Sequence, residues 1–190
     1  MDGVGTTTVA GSLAQALKAR DLRVHLTAEP TNRSFGVLLR RHIHGEVTLD
    51  PPSASLVFTA DRADHLATEI QPALSRGEWV VCDRYLLSTL AYQGAGGVDR
   101  EAILAASKGF AVPDVTFFLD APDDVRERRM AGRGHVDRYE DPALATPLRA
   151  SYLTSIDLLR SRGHRIEIVD ASFPAVDVLR TLLTRLDAAS

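Results

Sequence analysis

Four short apolar runs, Leu22 to Ala28, Trp79 to Asp83, Val115 to Asp120 and Arg165 to Asp170, constrain this chain more than any other feature. Each is apolar on nearly consecutive positions, is rich in Val, Ile or Phe, and ends at or just before an acidic residue. Runs of this kind, without polar alternation, read as parallel strands buried on both faces. Between them lie segments with helical spacing. In Ser53 to Ser75 the residues Leu56, Ala60, Ala63, Ala67, Ile70 and Leu74 recur at steps of three and four, which predicts one buried stripe. Pro142 to Arg162 carries Leu144, Leu148, Tyr152, Ile156 and Leu159 and stops at Gly163, and a last helix carries Val178, Leu179, Leu182, Leu183 and Leu186. Alternation of strand and helix implies an α/β fold, a parallel sheet with right-handed crossovers and helices on both faces. Ligands of such sheets bind beyond the carboxyl ends of the strands. The residues there are Glu29-Pro30, Asp83-Arg84-Tyr85, Asp120-Ala121-Pro122 and Asp170-Ala171. Acidic residues also form turns, so none of the four marks a site by itself.

A length of 190 residues with 45% apolar content fits one domain, residues 1–190, with enough apolar side chain to offset the entropy of ordering. No apolar run approaches the ~20 residues of a bilayer span, and the Gly/Thr-rich start does not resemble a secretion signal. The lone Cys82 can form neither an internal disulfide nor a multi-thiolate metal site, which suits a reducing cytoplasm. A net charge of -3 argues against a nucleic-acid-coating surface and against a membrane partner. All basic residues except Lys18 and Lys108 are arginines, whose planar fork suits phosphate, although GC-rich codon usage produces the same bias.

The first residues, Met1-Asp2-Gly3-Val4-Gly5-Thr6-Thr7-Thr8, run into an amphipathic helix with Val9, Leu13 and Leu17 on its inner side. Glycines permit tight turning, and a helix start aims unpaired N–H groups at an anion. The segment is close to a phosphate-binding loop, G-x-x-x-x-G-K-[ST], with two departures: the first glycine would precede Met1, and Thr6 stands where the lysine belongs.

Further along, the chain reads LVFTADRADHL from Leu56 and VVCDRYLLSTLAYQGAG from Val80. With the D-G-x-G start, the Glu29-Pro30 turn and the D-R-Y-E ending at Glu140, these blocks resemble the thymidylate kinase family, in order, from Asp2 to Glu140. The resemblance implies a P-loop nucleoside monophosphate kinase fold over essentially the whole chain, with an arginine-rich lid at about 126–140. It also implies transfer of a phosphoryl group from ATP to dTMP with Mg2+, and a homodimer formed through helices that include Ser53 to Ser75.

The resemblance supplies a residue-level expectation. Gly3, Val4, Gly5, Thr6, Thr7 and Thr8 hold the phosphates of ATP, and Asp2 orients the acceptor end. Glu29, Pro30, Phe58, Arg62, Arg84, Ser88, Thr89, Tyr92, Gln93 and Tyr139 line the acceptor site. Phe58 and Arg62, four apart, share one helix face, which suits a stacked pyrimidine with a guanidinium on its carbonyl. Arg84 contacts the acceptor monophosphate, and Tyr92 packs where a ribose 2'-hydroxyl would sit. Thr7, Asp83 and Glu140 form the Mg2+ set, with Asp137 at the lid end also facing the nucleotide. The lid arginines Arg126, Arg128, Arg129, Arg133 and Arg138 lie around Gly132 and Gly134, and Arg133 followed by Arg129 is expected to act in catalysis, as a closing segment would allow.

Threonine cannot supply the lysine's charge, and the loss of one preorganised donor costs on the order of 10²–10³ in rate. Three readings stay open: a slow kinase, a kinase compensated by another arginine, and a nucleotide binder without catalysis. A kinase for another or modified pyrimidine deoxynucleotide is a fourth. A working dTMP kinase is favoured, because a complete acceptor site would be superfluous otherwise. The central strand of this fold should precede the loop, so either ~8 to 10 upstream residues are lost through a start-site misassignment, or the sheet has a gap between the Trp79 and Val115 strands. His42 and His44 lack a third ligand and read as surface or loop residues.

Overall fold

The structure, a computed structural model, describes residues 4–130 and 142–188. Strand β1 (Val24–Ala28) runs parallel to β2 (Trp79–Asp83), with Val24 opposite Trp79 and Ala28 opposite Asp83. Strands β3 (Thr116–Asp120) and β4 (Ile166–Asp170) form a second parallel pair, with Thr116 opposite Ile166 and Asp120 opposite Asp170. All four expected strands form, but their expected burial on both faces is corrected: Leu26 of β1, Trp79 of β2 and Ile168 of β4 are exposed, since among the described residues each strand has only one neighbour. The two pairs are not hydrogen-bonded to each other, so among the described residues the sheet is broken between the Trp79 and Thr116 strands, one of the two alternatives expected there.

Helices join the pairs into one core. Helix α1 (Thr6–Lys18) turns Val9, Leu13 and Leu17 inward and packs on β1, β2 and α9 (Ala175–Asp187). Helix α5 (Leu86–Ala95) packs along α8 (Pro142–Arg160), where Leu87, Leu90 and Ala91 join Leu148, Tyr152, Ile156 and Leu159 in the buried cluster. Leu148, Tyr152, Ile156 and Leu159 of the stripe expected on α8 are therefore buried, as are Val178 and Leu182 of α9. Tyr152 stacks on Phe118 at 4.9 Å and meets the edge of Tyr92 at 5.9 Å, so one aromatic seam ties β3, α8 and α5 together. The remaining elements are α2 (Ser34–Ile43), α6 (Arg100–Ala106) and α7 (Asp123–Met130).

The long helix departs from its expected packing. It consists of α3 (Pro51–His65), a π-helical turn at Leu66–Ile70 and α4 (Gln71–Ser75), and it starts at Asp50, whose carboxylate accepts from the Ser53 N–H at 2.8 Å. Most of the predicted stripe faces outward: Leu56, Ala63, Ala67 and Leu74 are exposed, with Leu56 at 64%. The inward face instead carries Ala54, Ser55, Asp61, Arg62 and His65. Asp61, Arg62 and His65 occupy the buried side because each finds a partner in the neighbouring β1–α2 connection or on α5, a compensation invisible to hydrophobic spacing. The π-helical turn then changes the register, and Ile70 and Ala73 turn inward.

Candidate functional site

The four acidic strand ends have four different fates. Glu29 is buried and paired with Arg62. Asp83 accepts a 2.6 Å hydrogen bond from the Thr7 hydroxyl. Asp120 takes both donors of Arg149 on α8, at 3.0 and 2.6 Å. Asp170 caps a turn by accepting from the Ser172 N–H at 2.8 Å. Only Asp83 meets the α1 start, and Glu29 is tied to it through its own N–H, which donates to the Asp83 carbonyl at 3.0 Å.

That start follows from its backbone. Gly5 has φ 83°, a left-handed conformation that glycine adopts without cost, and its carbonyl accepts the first helical bond from the Val9 N–H at 2.9 Å. The N–H groups of Thr6, Thr7 and Thr8 precede that bond, so they lack intrahelical acceptors and lie at the positive end of the helix dipole. Thr6 occupies the first helical position. The Thr7 hydroxyl and the Asp83 carboxylate present hard oxygen donors, and among the described residues no group of three or more His, Cys, Asp or Glu could hold a metal. This set fits Mg2+, which keeps waters and substrate phosphates as most of its ligands, and does not suit zinc.

The densest part of the site lies under α3. Arg62 is 1% exposed, and its Nε and Nη2 both donate to Glu29 Oε2, at 3.0 and 2.8 Å. Nη2 also donates to Thr89 Oγ1 at 2.7 Å, and the guanidinium lies 4.9 Å from the centre of the Tyr85 ring. Burial near these charges pushes the Tyr85 phenol well above its ordinary range, which keeps it neutral, and it donates to the Ala111 carbonyl at 2.9 Å. Among the described residues, two buried donors of this part of the site have no acceptor, Arg62 Nη1 and Gln93 Nε2. Gln93 stands one helical turn beyond Thr89 on α5, so both orphans belong to one wall. Buried donors left unpaired are costly, and a wall carrying two of them is built for an acceptor-bearing ligand.

Arg84 has φ 68°, the left-handed region that non-glycine residues seldom occupy. This turn at the end of β2 sets its guanidinium over Tyr92, 5.6 Å from the ring centre, with Nη1 3.5 Å from the Tyr92 hydroxyl. Tyr92 and Ser88 face the same aromatic seam, and Ser88 Oγ accepts from the Tyr152 hydroxyl at 3.3 Å. Phe58 is half-buried, one turn before Arg62 on α3. The two do not project equally from their shared face, because Glu29 and Thr89 draw the arginine wholly inside.

Several residues of the site escaped the sequence reading. Asp61 is buried and accepts from the Thr31 N–H and hydroxyl, at 2.9 and 2.6 Å. Arg40 donates to the Pro30 and Thr31 carbonyls, at 2.8 and 2.5 Å. Together they brace the segment after the cis Glu29-Pro30 bond. Gly36 lies so close to it that a methyl group would collide with the Thr31 carbonyl. His65, wholly buried, reaches Glu29 Oε1 through Nδ1 at 3.2 Å. The readable signal was that Asp61 and His65 flank Arg62 on its own helical face. His42 corrects the surface assignment: it is buried, and its Nδ1 lies 3.2 Å from the Leu49 N–H and 3.1 Å from the Val47 carbonyl. The loop after α2 folds over it, while His44 stays exposed.

Three of the expected lid arginines sit on α7. Arg126 is buried against Asp123 at 2.6 Å, and Arg128 pairs with Asp124 at 3.1 Å. Arg129 gives its donors to the Ala171, Ser172 and Phe173 carbonyls, at 2.7, 3.3 and 3.1 Å, and so clasps the loop after β4. Asp2, Gly3, Gly132, Arg133, Gly134, Asp137, Arg138, Tyr139 and Glu140 lie outside the described residues. Among the described residues no helix is long and apolar enough to cross a membrane.

Comparison with known proteins adds an independent line. A family model described as thymidylate kinase matches residues 1–182. The chain is 40% identical over 197 residues to a thymidylate kinase of Bordetella petrii, covering 99% of this chain and 92% of that protein. It is 35% identical over 193 residues to one from Methylococcus capsulatus, with 98% and 91% covered. Against the thymidylate kinase of Alcanivorax borkumensis the identity is 38% over 191 residues, with 95% and 89% covered.

Proposed function

The chain belongs to the thymidylate kinase family, and from that premise we propose how its residues carry out the transfer of the γ-phosphoryl group of ATP to dTMP. The observation that carries the acceptor assignment is the pair of buried, acceptorless donors, Arg62 Nη1 and Gln93 Nε2, on one wall. A pyrimidine offers carbonyl acceptors to such a wall, with Phe58 one turn away to stack on the ring. Arg84 takes the acceptor phosphate, and Tyr92 beneath it excludes a 2'-hydroxyl. Glu29 and Pro30 form the floor, with Ser88, Thr89 and Tyr139 on the rim.

The unpaired N–H groups at the α1 start, with Gly3, Val4 and Gly5, hold the donor phosphates. Thr7 and Asp83, with Glu140, are the residues that would hold Mg2+, whose charge offsets that of the donor phosphates. Asp2 orients the acceptor end. An acceptor phosphate oxygen attacks the γ-phosphorus in line, its bond to the ADP oxygen breaks, and no covalent enzyme intermediate forms; Arg84 and Arg133 gather the charge on the transferred group. Arg129, clasped to the loop after β4, fixes the base of the lid from where it stands and reaches the phosphates only by releasing those carbonyls. The outward stripe of Leu56, Ala63, Ala67 and Leu74 supports a homodimer formed through the long helix, in a cytoplasmic enzyme.

The test is dTMP-dependent release of ADP, with calorimetric binding of dTMP to wild type and to Gln93→Leu. The reading requires turnover by wild type and at least tenfold weaker dTMP binding by Gln93→Leu, at unchanged ATP affinity. Equal dTMP binding by the two would remove this wall from the acceptor site.

A further inference from the structure

Among the described residues, His65 and Asp61 are the fully buried titratable groups of this site to which the transfer assigns no part; Asp61 is engaged by Thr31, whereas His65 faces the ion pair itself. It lies at the head of a chain of contacts. Nδ1 is 3.2 Å from Glu29 Oε1, and Nε2 is 2.7 Å from Thr27 Oγ1, whose hydroxyl reaches Glu69 Oε2 at 3.1 Å. A carboxylate oxygen only accepts, so Nδ1 carries the proton at that contact.

The geometry of the ion pair explains what this proton does. A guanidinium and a carboxylate normally meet fork to fork, two nitrogens on two oxygens. Here Nε and Nη2 converge on the single oxygen Oε2. Oε1 is already engaged by His65, and Nη1 is left without an acceptor. We infer that His65 is a positioning residue for substrate recognition: by occupying Glu29 Oε1 it holds Nε and Nη2 together on Oε2 and so fixes the turn of the guanidinium at which Arg62 Nη1 is aimed at the carbonyl of the acceptor base. Without the Nδ1 donor, Oε1 becomes a buried acceptor lacking a partner, and the guanidinium is the group that can satisfy it. The guanidinium then turns in its plane to put Nε and Nη2 on separate oxygens, which carries Nη1 away from the base, while the phosphate contacts stay as they are.

The inference rests on the assignment of Arg62 to the acceptor base, and the test separates the two. His65→Asn keeps an amide N–H at the Glu29 side; His65→Gln moves it toward Thr27 and away from Glu29. Both are small polar replacements whose folding is checked by thermal melting. Each is assayed with dTMP and with its 4-thio analogue, whose sulfur is a poorer acceptor. Wild type discriminates in favour of dTMP, and His65→Asn retains that preference with KM for dTMP within about threefold. In His65→Gln, KM for dTMP rises about tenfold or more, kcat and the KM for ATP hold, and the preference over the thio analogue collapses. If wild type shows no preference, Arg62 does not read a base carbonyl and the inference falls with the assignment. If wild type discriminates and His65→Gln does too, or if the two variants behave alike, the assignment stands and the role of His65 is refuted. Should His65→Gln fail to fold, His65→Ala is assayed with and without imidazole, which refills the site with an N–H donor: the preference over the thio analogue must be lost without imidazole and restored with it, and its retention without imidazole overturns the inference.

Discussion

Replacing Arg62 by methionine is the sharpest test of what holds this site together. The side chain has similar volume and leaves no large cavity, so the effect isolates the charge. Arg62 makes three hydrogen bonds, two of them to Glu29, at 1% exposure. Removing one partner of a buried ion pair strands the other and costs about 3–5 kcal/mol. His65 still donates to Glu29 Oε1, which places the expected loss near the lower end of that range. For a domain of this size each kcal/mol moves Tm by about 2–4 °C, so Arg62→Met should melt roughly 6–12 °C lower. Glu29→Gln in the same chain should recover much of the loss, because the stranded charge is gone. A double-mutant cycle by urea unfolding, read by circular dichroism, should give a coupling of at least about 1.5 kcal/mol. A coupling near zero, or an Arg62→Met cost below about 1 kcal/mol, would show that Glu29 is neutral or solvated in the folded protein and would refute the description of the acceptor wall.

Other outcomes follow from single positions. Thr6→Lys supplies the charge that the α1 start lacks; a gain of about 10²-fold or more in dTMP-dependent kcat would mark the natural protein as impaired, and no gain would show that another cation already serves the donor phosphates. Gly36→Ala forces a methyl group into the Thr31 carbonyl and should cost about 1–3 kcal/mol in urea unfolding while raising KM for dTMP, since the Glu29–Thr31 segment must move. Hydrogen bonds from Ser53 hold the Asp50 carboxyl below its ordinary range. Its contribution is therefore present above the unfolded value of about 3.9 and is lost as pH falls through the lower folded value. Asp50→Ala should lower Tm at pH 7, and the difference from wild type should vanish in strong acid; a difference that persists there would refute the capping role.

Much of the architecture could be read before any coordinate. Consecutive apolar residues in Trp79–Asp83 and Thr116–Asp120 mark strands, although Trp79 stays exposed, and the Leu148, Tyr152, Ile156 and Leu159 spacing leaves α8 one way to pack. The break between the two strand pairs was one of two alternatives that the resemblance left open. Those properties are local, fixed by periodicity and by the demand that apolar surface leave water. The candidate site residues are named one by one by the motifs, and their assignment is what the proposed tests address.

Which face of α3 goes inside was a tertiary decision. Spacing alone chose the Leu56, Ala63 and Ala67 side, yet the buried side is the polar one, because Glu29, Thr31 and Thr89 arrive from other segments to satisfy Asp61, Arg62 and His65. A charge becomes buriable only when a partner distant in sequence is present, and hydropathy along one helix carries no record of that partner. The left-handed turn at Arg84 and the donor left over on Arg62 are likewise products of convergence, and it is convergence that turns a row of familiar residues into a wall with something to hold.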